Sequence, residues 1–318
     1  MKIVLLFFMF ISSLLCSTLE KPKQQYKASG GVTDLVVQDD SLYVATQASC
    51  IDVFDLKSAQ KLKVIKLPKI EDFMHRNINS KVYSVDVLGD KIVLLSQANR
   101  GFRRVHIYEN ENLELIISSK EELYISEVRF LDTKTLLFGL LSSELISYDI
   151  DRQKINWRVQ VSHSKFSDLV LNEQKDEIIV ADESGDLKRV SAKDGSLIET
   201  LSGENLDNVF QVDYKHGIIA TAGQDRRVVV YDVENFLAYY KQAPFLIYSV
   251  GVSPNGKRVA YASDEENNVE VFEVKSKKVL GKFTGNKMTL TKILFLNEKE
   301  FLVASDAKIV NRYIINKE

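Results

Sequence analysis

Histidine is the side chain in this sequence with the widest range of chemistry, and its spacing does not favour a catalytic or metal site. The four histidines, His75, His106, His163 and His216, lie far apart, whereas histidines that bind one metal commonly lie about two to four residues apart. His106 alternates with apolar residues, so we expect a buried, hydrogen-bonded ring. The sequence also lacks a glycine-rich phosphate loop and a Gly-x-Ser-x-Gly motif. We therefore predict no catalytic residue, no metal and no cofactor.

The remaining reactive side chains fit ordinary structural roles. The pairs Asp39-Asp40 and Glu265-Glu266 lie between predicted strands, where acidic residues are common in turns. Cys50 precedes an apolar strand and is expected to be a packed thiol. The second cysteine, Cys16, lies in the apolar N-terminal segment, so no intramolecular disulfide is expected.

The N-terminal segment predicts export from the cytoplasm. Lys2 is followed by the uncharged residues 3–15 and then by small residues, which is the layout of a secretory signal peptide. This apolar run is shorter than the roughly 20 residues that span a bilayer as a helix, so no stable membrane insertion is expected. An uncleaved anchor and a lipidated Cys16 are the alternatives. We predict a Sec-type signal peptide over residues 1–17. Only one cysteine remains after its cleavage, and an exported protein without an intramolecular disulfide suggests the bacterial periplasm.

Charge and composition narrow the class of partner. The chain has 42 lysines and arginines against 44 aspartates and glutamates, a net charge of −2. Such a balance provides no overall field that attracts nucleic acid or an anionic membrane. No linker or low-complexity stretch divides the sequence after the signal peptide. We therefore expect residues 18–318 to form one domain, a monomer that binds other proteins.

A recurring four-residue segment predicts the architecture. Its second residues lie at positions 35, 85, 128, 169, 212, 250 and 293, a spacing near 43. A period of this size that contains only short strands is typical of four-stranded propeller blades. The sequence therefore predicts an all-β fold, a seven-bladed β-propeller. The seven segments are Asp34-Leu35-Val36-Val37, Ser84-Val85-Asp86-Val87, Glu127-Val128-Arg129-Phe130, Asp168-Leu169-Val170-Leu171, Gln211-Val212-Asp213-Tyr214, Ser249-Val250-Gly251-Val252 and Lys292-Ile293-Leu294-Phe295.

The strand order within each unit predicts how the ring closes. An apolar second strand, a third strand that often ends in an aromatic residue and a polar fourth strand follow in turn. The seventh unit stops after its third strand, residues 309–315, whereas residues 24–28 precede the first unit and have strand character. We predict that this N-terminal strand completes the last blade, because closure pairs edges that would otherwise be exposed.

Two stretches resemble known propeller repeats. Residues 221–232 resemble the second half of a WD40 repeat, in which the turn aspartate, here Asp225, anchors the loop. Residues 149–157 resemble the docking motif of quinoprotein-type propellers, which implies that Trp157 packs on the neighbouring blade. Tyr240 falls at the equivalent sequence position of its own unit. The Gly-His dipeptide of WD40 repeats is absent, so the repeats are WD40-like and degenerate.

The whole chain resembles the NapL family of periplasmic accessory proteins associated with the periplasmic nitrate reductase. The resemblance rests on the signal peptide, the length, the seven degenerate WD40-like units and the composition rich in lysine, glutamate, isoleucine and asparagine. It implies a non-catalytic role in maturation or assembly of that reductase through protein contacts. Two alternatives stay open: a scaffold for outer-membrane protein assembly, and a propeller enzyme such as a lyase or a quinone-dependent dehydrogenase.

Two long loops predict a partner-binding surface. Residues 67–81 connect the first and second units, and residues 96–104 join the second and third strands of the second unit. Loops of these two kinds share one face of a propeller, so they should lie side by side. Basic residues next to exposed Phe and Met suit the binding of an acidic partner. The predicted contact residues are Phe73, Met74, His75, Arg76, Arg100, Phe102, Arg103 and Arg104.

Overall fold

The strands form seven antiparallel four-stranded sheets arranged in a ring, as the sequence predicts. The computed structural model describes residues 19–316, so the predicted signal peptide lies outside the described residues. Two short strands come first, β1 (Leu19–Glu20) and β2 (Gln24–Lys27). Blade 1 follows with β3 (Val32–Gln38), β4 (Ser41–Thr46), β5 (Cys50–Asp55) and β6 (Lys61–Lys66). A hairpin of β7 (Ile70–Glu71) and β8 (Asn77–Ile78) leads to blade 2, which consists of β9 (Val82–Leu88), β10 (Lys91–Gln97), β11 (Arg103–Glu109) and β12 (Asn112–Ile117).

The remaining blades repeat the same strand order. Single turns of 3-10 helix occur at Asn99–Gly101 and Ser119–Glu121, and no helix within residues 19–316 is long and apolar enough to cross a membrane. Blade 3 contains β13 (Ile125–Asp132), β14 (Thr135–Leu140), β15 (Glu144–Asp149) and β16 (Lys154–Gln160), and blade 4 contains β17 (Phe166–Leu171), β18 (Glu177–Asp182), β19 (Leu187–Ser191) and β20 (Leu197–Leu201). Blade 5 contains β21 (Val209–Lys215), β22 (Ile218–Gly223), β23 (Arg227–Asp232) and β24 (Leu237–Gln242), and blade 6 contains β25 (Val250–Val252), β26 (Arg258–Ala262), β27 (Val269–Glu273) and β28 (Val279–Phe283). Blade 7 contains β29 (Leu290–Phe295), β30 (Glu300–Ser305) and β31 (Ile309–Ile314).

The burial of each strand follows from its place in the blade. The second strand of each blade, such as β22, is buried along its length, since neighbouring blades cover both of its faces. The fourth strand is the outer edge, and in β16 most side chains are exposed. Apolar clusters between successive blades form the core.

The N-terminal strand closes the ring, which confirms the prediction. β2 pairs antiparallel with β31 and becomes the fourth strand of blade 7. Tyr26 of β2 is fully buried, its ring lies 5.7 Å from that of Phe54 in blade 1, and its hydroxyl donates to the Leu56 carbonyl at 2.7 Å. β1 adds a short parallel fifth strand to β28 of blade 6, an interaction that the sequence analysis did not predict.

Trp157 joins two blades, as its motif implies. It is partly buried against the apolar cluster between blades 3 and 4. A Cβ atom at Gly195, in a turn of blade 4, would lie only 3.0 Å from the Trp157 ring. Asp225 also takes its expected role, since its carboxylate accepts from the backbone N–H of Leu206 at 2.8 Å and of Arg227 at 3.0 Å.

The assignment of Tyr240 to the same docking position is wrong by one residue. Trp157 lies opposite Ser147, and a bulge in β16 displaces the register beside it. β24 has no such bulge, so the equivalent residue opposite Val230 is Tyr239. Its hydroxyl donates to the Val274 carbonyl of blade 6 at 2.7 Å. Counting residues from the aromatic end of the third strand could not reveal the bulge.

Candidate functional site

The loop between blades 1 and 2 folds into a hairpin that presents two apolar side chains. Asp72 shapes its turn: one carboxylate oxygen accepts from the backbone N–H groups of Met74 at 2.8 Å and Arg76 at 2.9 Å, and the other from the Arg76 guanidinium at 2.7 Å. These hydrogen bonds lower the pKa of Asp72. At the tip, Phe73 is 90% exposed and Met74 is 58% exposed. A turn held this firmly keeps both side chains in solvent.

The hairpin supplies no free positive charge of its own. Arg76 pairs with Asp72, and the His75 ring contacts the Glu71 carboxylate. The excess positive charge predicted for this surface therefore depends on the neighbouring loop, residues 96–104.

Arg104 places the two loops side by side, which is the arrangement expected from the propeller topology. Its guanidinium donates to the Pro68 carbonyl and to the Ser80 hydroxyl, both at 3.0 Å. The guanidinium of Arg103 stacks on the Tyr83 ring at 4.1 Å. Both arginines are partly buried, so they hold the loop in place and contribute little freely accessible charge. Arg100 is exposed and makes no ion pair with residues 19–316.

An aromatic pair extends this surface toward blade 3. The Phe102 ring lies 5.1 Å from the ring of Tyr124, which is 50% exposed. We define the hairpin surface as Phe73, Met74, Arg100, Phe102 and Tyr124. The sequence analysis missed Tyr124, although the connection between blades 2 and 3 belongs to the same class of loop as residues 67–81.

A second polar cluster, which the sequence analysis also missed, lines the inner strands around the ring axis. The first residue of the recurring segment is polar in every unit, and in four blades its side chain accepts a hydrogen bond from the next inner strand. The bonds run from Val85 N to Asp34 at 3.1 Å, from Val128 N to Ser84 at 3.1 Å, from Leu169 N to Glu127 at 3.1 Å and from Val212 N to Asp168 at 3.0 Å. Neighbouring blades are thus joined at the ring centre.

Charged side chains concentrate at this centre, and we call the set Asp34, Glu127, Arg129, Asp168 and Lys292 the channel cluster. Arg129 lies 3.1 Å from Asp34 and 2.6 Å from Glu127, and both carboxylate side chains are only 7% exposed. Burial raises the pKa of Glu127 to about 8 and also raises that of Asp168. The surrounding carboxylates raise the pKa of Lys292 despite its burial. Within this set three acids face two cations, and a proton on Glu127 makes the two signs of charge equal in number.

The raised pKa of Glu127 predicts a pH-dependent stability. Because the folded chain retains this proton above the usual glutamate value of 4.5, unfolding releases it, and the free energy of unfolding should fall as pH rises toward about 8. The slope approaches about 1.4 kcal/mol per pH unit for one proton. Urea unfolding between pH 5 and pH 9 measures it, and Glu127→Gln should flatten the curve, leaving the part due to Asp168. The exposed control Asp40→Asn should keep the slope, and an unchanged slope in Glu127→Gln would contradict the assignment.

Two of the remaining residues considered from the sequence, His106 and Cys50, are buried. His106 is 5% exposed, and its Nδ1 has no hydrogen-bond partner among the described residues, so the expectation of a hydrogen-bonded ring is not met. Burial, with the charge of Arg104, lowers the His106 pKa to about 4, which keeps the ring neutral. Cys50 is buried, with its sulfur 3.2 Å from the Thr46 hydroxyl. Within residues 19–316, no group of three or more His, Cys, Asp or Glu side chains is placed to hold a metal ion.

Compared with protein-family models and with curated proteins, the chain matches none. The geometry itself establishes a β-propeller of seven blades, a fold compatible with an interaction platform.

Proposed function

We propose that this chain is a non-catalytic, periplasmic interaction platform that binds an acidic partner protein through the hairpin surface. The observation that carries the proposal is the pair Phe73 and Met74, held in solvent at 90% and 58% exposure by a turn that Asp72 fixes. Burying an apolar side chain of this size contributes about 1.5–3 kcal/mol. Binding energy concentrated in a few such anchors is typical of protein interfaces.

The charge around these anchors supports an acidic partner. Arg100 is exposed and without an ion pair among the described residues, and it lies in the loop beside the hairpin. Arg103 and Arg104 add positive charge behind it, although their guanidinium groups are engaged with Tyr83 and with Pro68. Such charge steers an acidic protein toward the surface and gives a binding rate that depends on salt.

We further propose that the partner belongs to the periplasmic nitrate reductase and that the chain assists its maturation or assembly. The resemblance of the whole chain to the NapL family supports this, and the seven-bladed ring is one of the features on which that resemblance rests. In this proposal the protein is a monomer that needs no cofactor.

The double substitution Phe73→Ser and Met74→Ser tests the proposed surface. The full-length tagged protein, isolated from the periplasm of cells grown with nitrate, should retain nitrate reductase subunits, and the variant should lose at least about tenfold of this binding because two anchors are removed. The melting temperature should not change, since neither side chain is packed. Leu62→Ser, on the outer strand of blade 1 and 57% exposed, is the matched control and should bind normally.

Three results would contradict this assignment. Equal retention of the reductase by the double variant would remove the hairpin surface from the interface. Recovery of outer-membrane assembly factors in place of the reductase would favour the scaffold function. Turnover of a substrate by the purified chain would favour the propeller enzyme.

A further inference from the structure

The outer groove between blades 4 and 5 has a carboxylate side chain where two other blades carry an aromatic one. Trp157 occupies it between blades 3 and 4, and Tyr239 between blades 5 and 6. In blade 4 the equivalent residue is Glu199, which lies opposite Arg189 in the strand register. The groove that remains has a volume of about 280 Å³ and is lined by Glu199, Leu201, Glu204, Tyr231, Phe236 and Leu237, among others.

Phe236 lies at the rim of this groove, at a turn position that is left-handed in several blades. Its φ of 55° is left-handed, like that of Gly195 and Lys277 at the same turn position in the neighbouring blades. The left-handed region costs a residue with a side chain about 1–2 kcal/mol. Phe236 is 87% exposed and the adjacent Leu237 is 64% exposed. Neither backbone preference nor burial accounts for a phenylalanine at this position.

The groove carries more negative charge than the neighbouring Arg189 balances. The Glu204 carboxylate has no hydrogen bond or ion pair with the part of the chain that the structure describes, and Asp232 accepts only from Asn235. Glu199 must share Arg189 with Glu177. Tyr231 is 5% exposed and its hydroxyl has no partner within residues 19–316. A cation entering the groove would meet carboxylates and aromatic rings together.

At other blade interfaces, a lysine ammonium group lies above a tyrosine ring. Between blades 5 and 6, the Lys277 ammonium lies 4.1 Å above the Tyr239 ring. Between blades 1 and 2, Lys63 lies 4.7 Å above a tyrosine ring and 3.3 Å from Glu111. An ammonium or guanidinium over an aromatic face is a favourable arrangement. Between blades 4 and 5 the ring and the carboxylates are present, and Glu204 forms no ion pair with residues 19–316.

We propose that this groove binds a lysine or arginine side chain carried by an extended segment of a partner protein. The aliphatic stem of that side chain packs against Phe236 and Leu237, and its charge lies between Glu199 and Glu204. The segment runs along β20, the outer strand of blade 4, whose edge is free among the described residues. Blade 6 shows that such an edge accepts a further strand, because β1 pairs with β28 there. The proposal does not depend on the hairpin surface.

Fluorescence anisotropy with the full-length protein tests the groove. The probe is a fluorescein-labelled, amidated Val-Arg-Val peptide, and the matched control peptide is Val-Glu-Val. The arginine peptide should bind, and its affinity should fall as salt rises because the contact is electrostatic. Phe236→Gly and Glu204→Gln should each weaken binding at least about fivefold, which corresponds to the loss of about 1 kcal/mol for a cation–π or ionic contact. Phe73→Ser, at an equally exposed phenylalanine, should bind like the wild type.

Phe236→Gly separates binding from folding. Glycine adopts the left-handed conformation without strain, so its melting temperature should equal or exceed that of the wild type. Equal binding of the two peptides, no binding of either, or wild-type affinity in Phe236→Gly would each overturn the proposal. If arginine amide bound as tightly as the peptide, the proposed pairing of an extended partner segment with β20 would be wrong. If the wild type formed a dimer that Phe236→Gly abolished, the occupant of the groove would be a second copy of this chain.

Discussion

A chain without residues 19–28 should fail to form a stable ring, instead of keeping six intact blades and a frayed seventh. The deletion removes β2, exposes the edge of β31 and empties the site of Tyr26, which is fully buried between blades 7 and 1. Loss of a buried aromatic side chain alone costs about 3–5 kcal/mol, and whole domains are stable by only about 5–15 kcal/mol. Urea unfolding followed by circular dichroism measures the effect, and the transition should be lost or shifted to far lower urea.

A circular permutant distinguishes ring closure from a general effect of truncation. β2 runs antiparallel to β31, with Gln24 opposite Arg312, so residues 23–28 can follow the C terminus through a short glycine-serine turn. This permutant should recover most of the stability, since the same strand returns to the same edge. Lys27→Ala, at an exposed position of β2, should leave stability near the wild-type value. A truncated chain as stable as the intact protein would show that the pairing of β2 with β31 contributes little to stability.

The strands and the blade count follow from the sequence because each strand carries its own signal. The second strand of most units is apolar without alternation, and β14 and β22 are indeed buried on both faces. The closing strand could also be predicted, because an incomplete seventh unit leaves one unpaired edge and only one spare segment precedes the first blade. The adjacency of the two long loops follows from the direction of the strands alone, and the contact of Arg104 with Pro68 confirms it.

The channel cluster could not be predicted in this way, although its residues recur at one position of the repeat. Polar character at that position is visible in the sequence, but the pairing depends on the length of each side chain and on the diameter of the ring. Arg129 of blade 3 reaches past blade 2 to Asp34 of blade 1, a contact that no local pattern specifies. The β16 bulge beside Trp157 is similarly absent from the residue pattern. Sequence reasoning therefore located the elements and missed the contacts that cross them.

Arg129→Met should destabilise the protein by about 3–5 kcal/mol, the usual cost of removing one partner from a buried ion pair. Methionine fills a similar volume, so the loss comes chiefly from Asp34, which stays buried without the guanidinium 3.1 Å away, whereas Glu127 already carries a proton at neutral pH. Arg129 also donates to the Val85 carbonyl at 3.1 Å, and that acceptor loses a partner as well. The loss relative to the wild type should be smaller at pH 5 than at pH 8, because protonation lowers the negative charge that the cluster keeps without its arginine. Urea unfolding at both pH values measures the loss and its pH dependence.

Arg158 in the same blade is a matched control. It forms a bidentate ion pair with Glu144 at 2.7 and 2.8 Å, but its side chain is 44% exposed. Arg158→Met should cost at most about 1 kcal/mol, because water screens an exposed pair and solvates the carboxylate that is left. Adding Asp34→Asn to Arg129→Met should recover part of the lost stability, since it removes a buried charge whose cation is gone. Equal effects at Arg129 and Arg158 would mean that water solvates the ring centre as well as it does the surface. A large difference, relieved by acid and by Asp34→Asn, would show that one arginine at the ring centre holds blades 1 and 3 together against the repulsion of their own carboxylates.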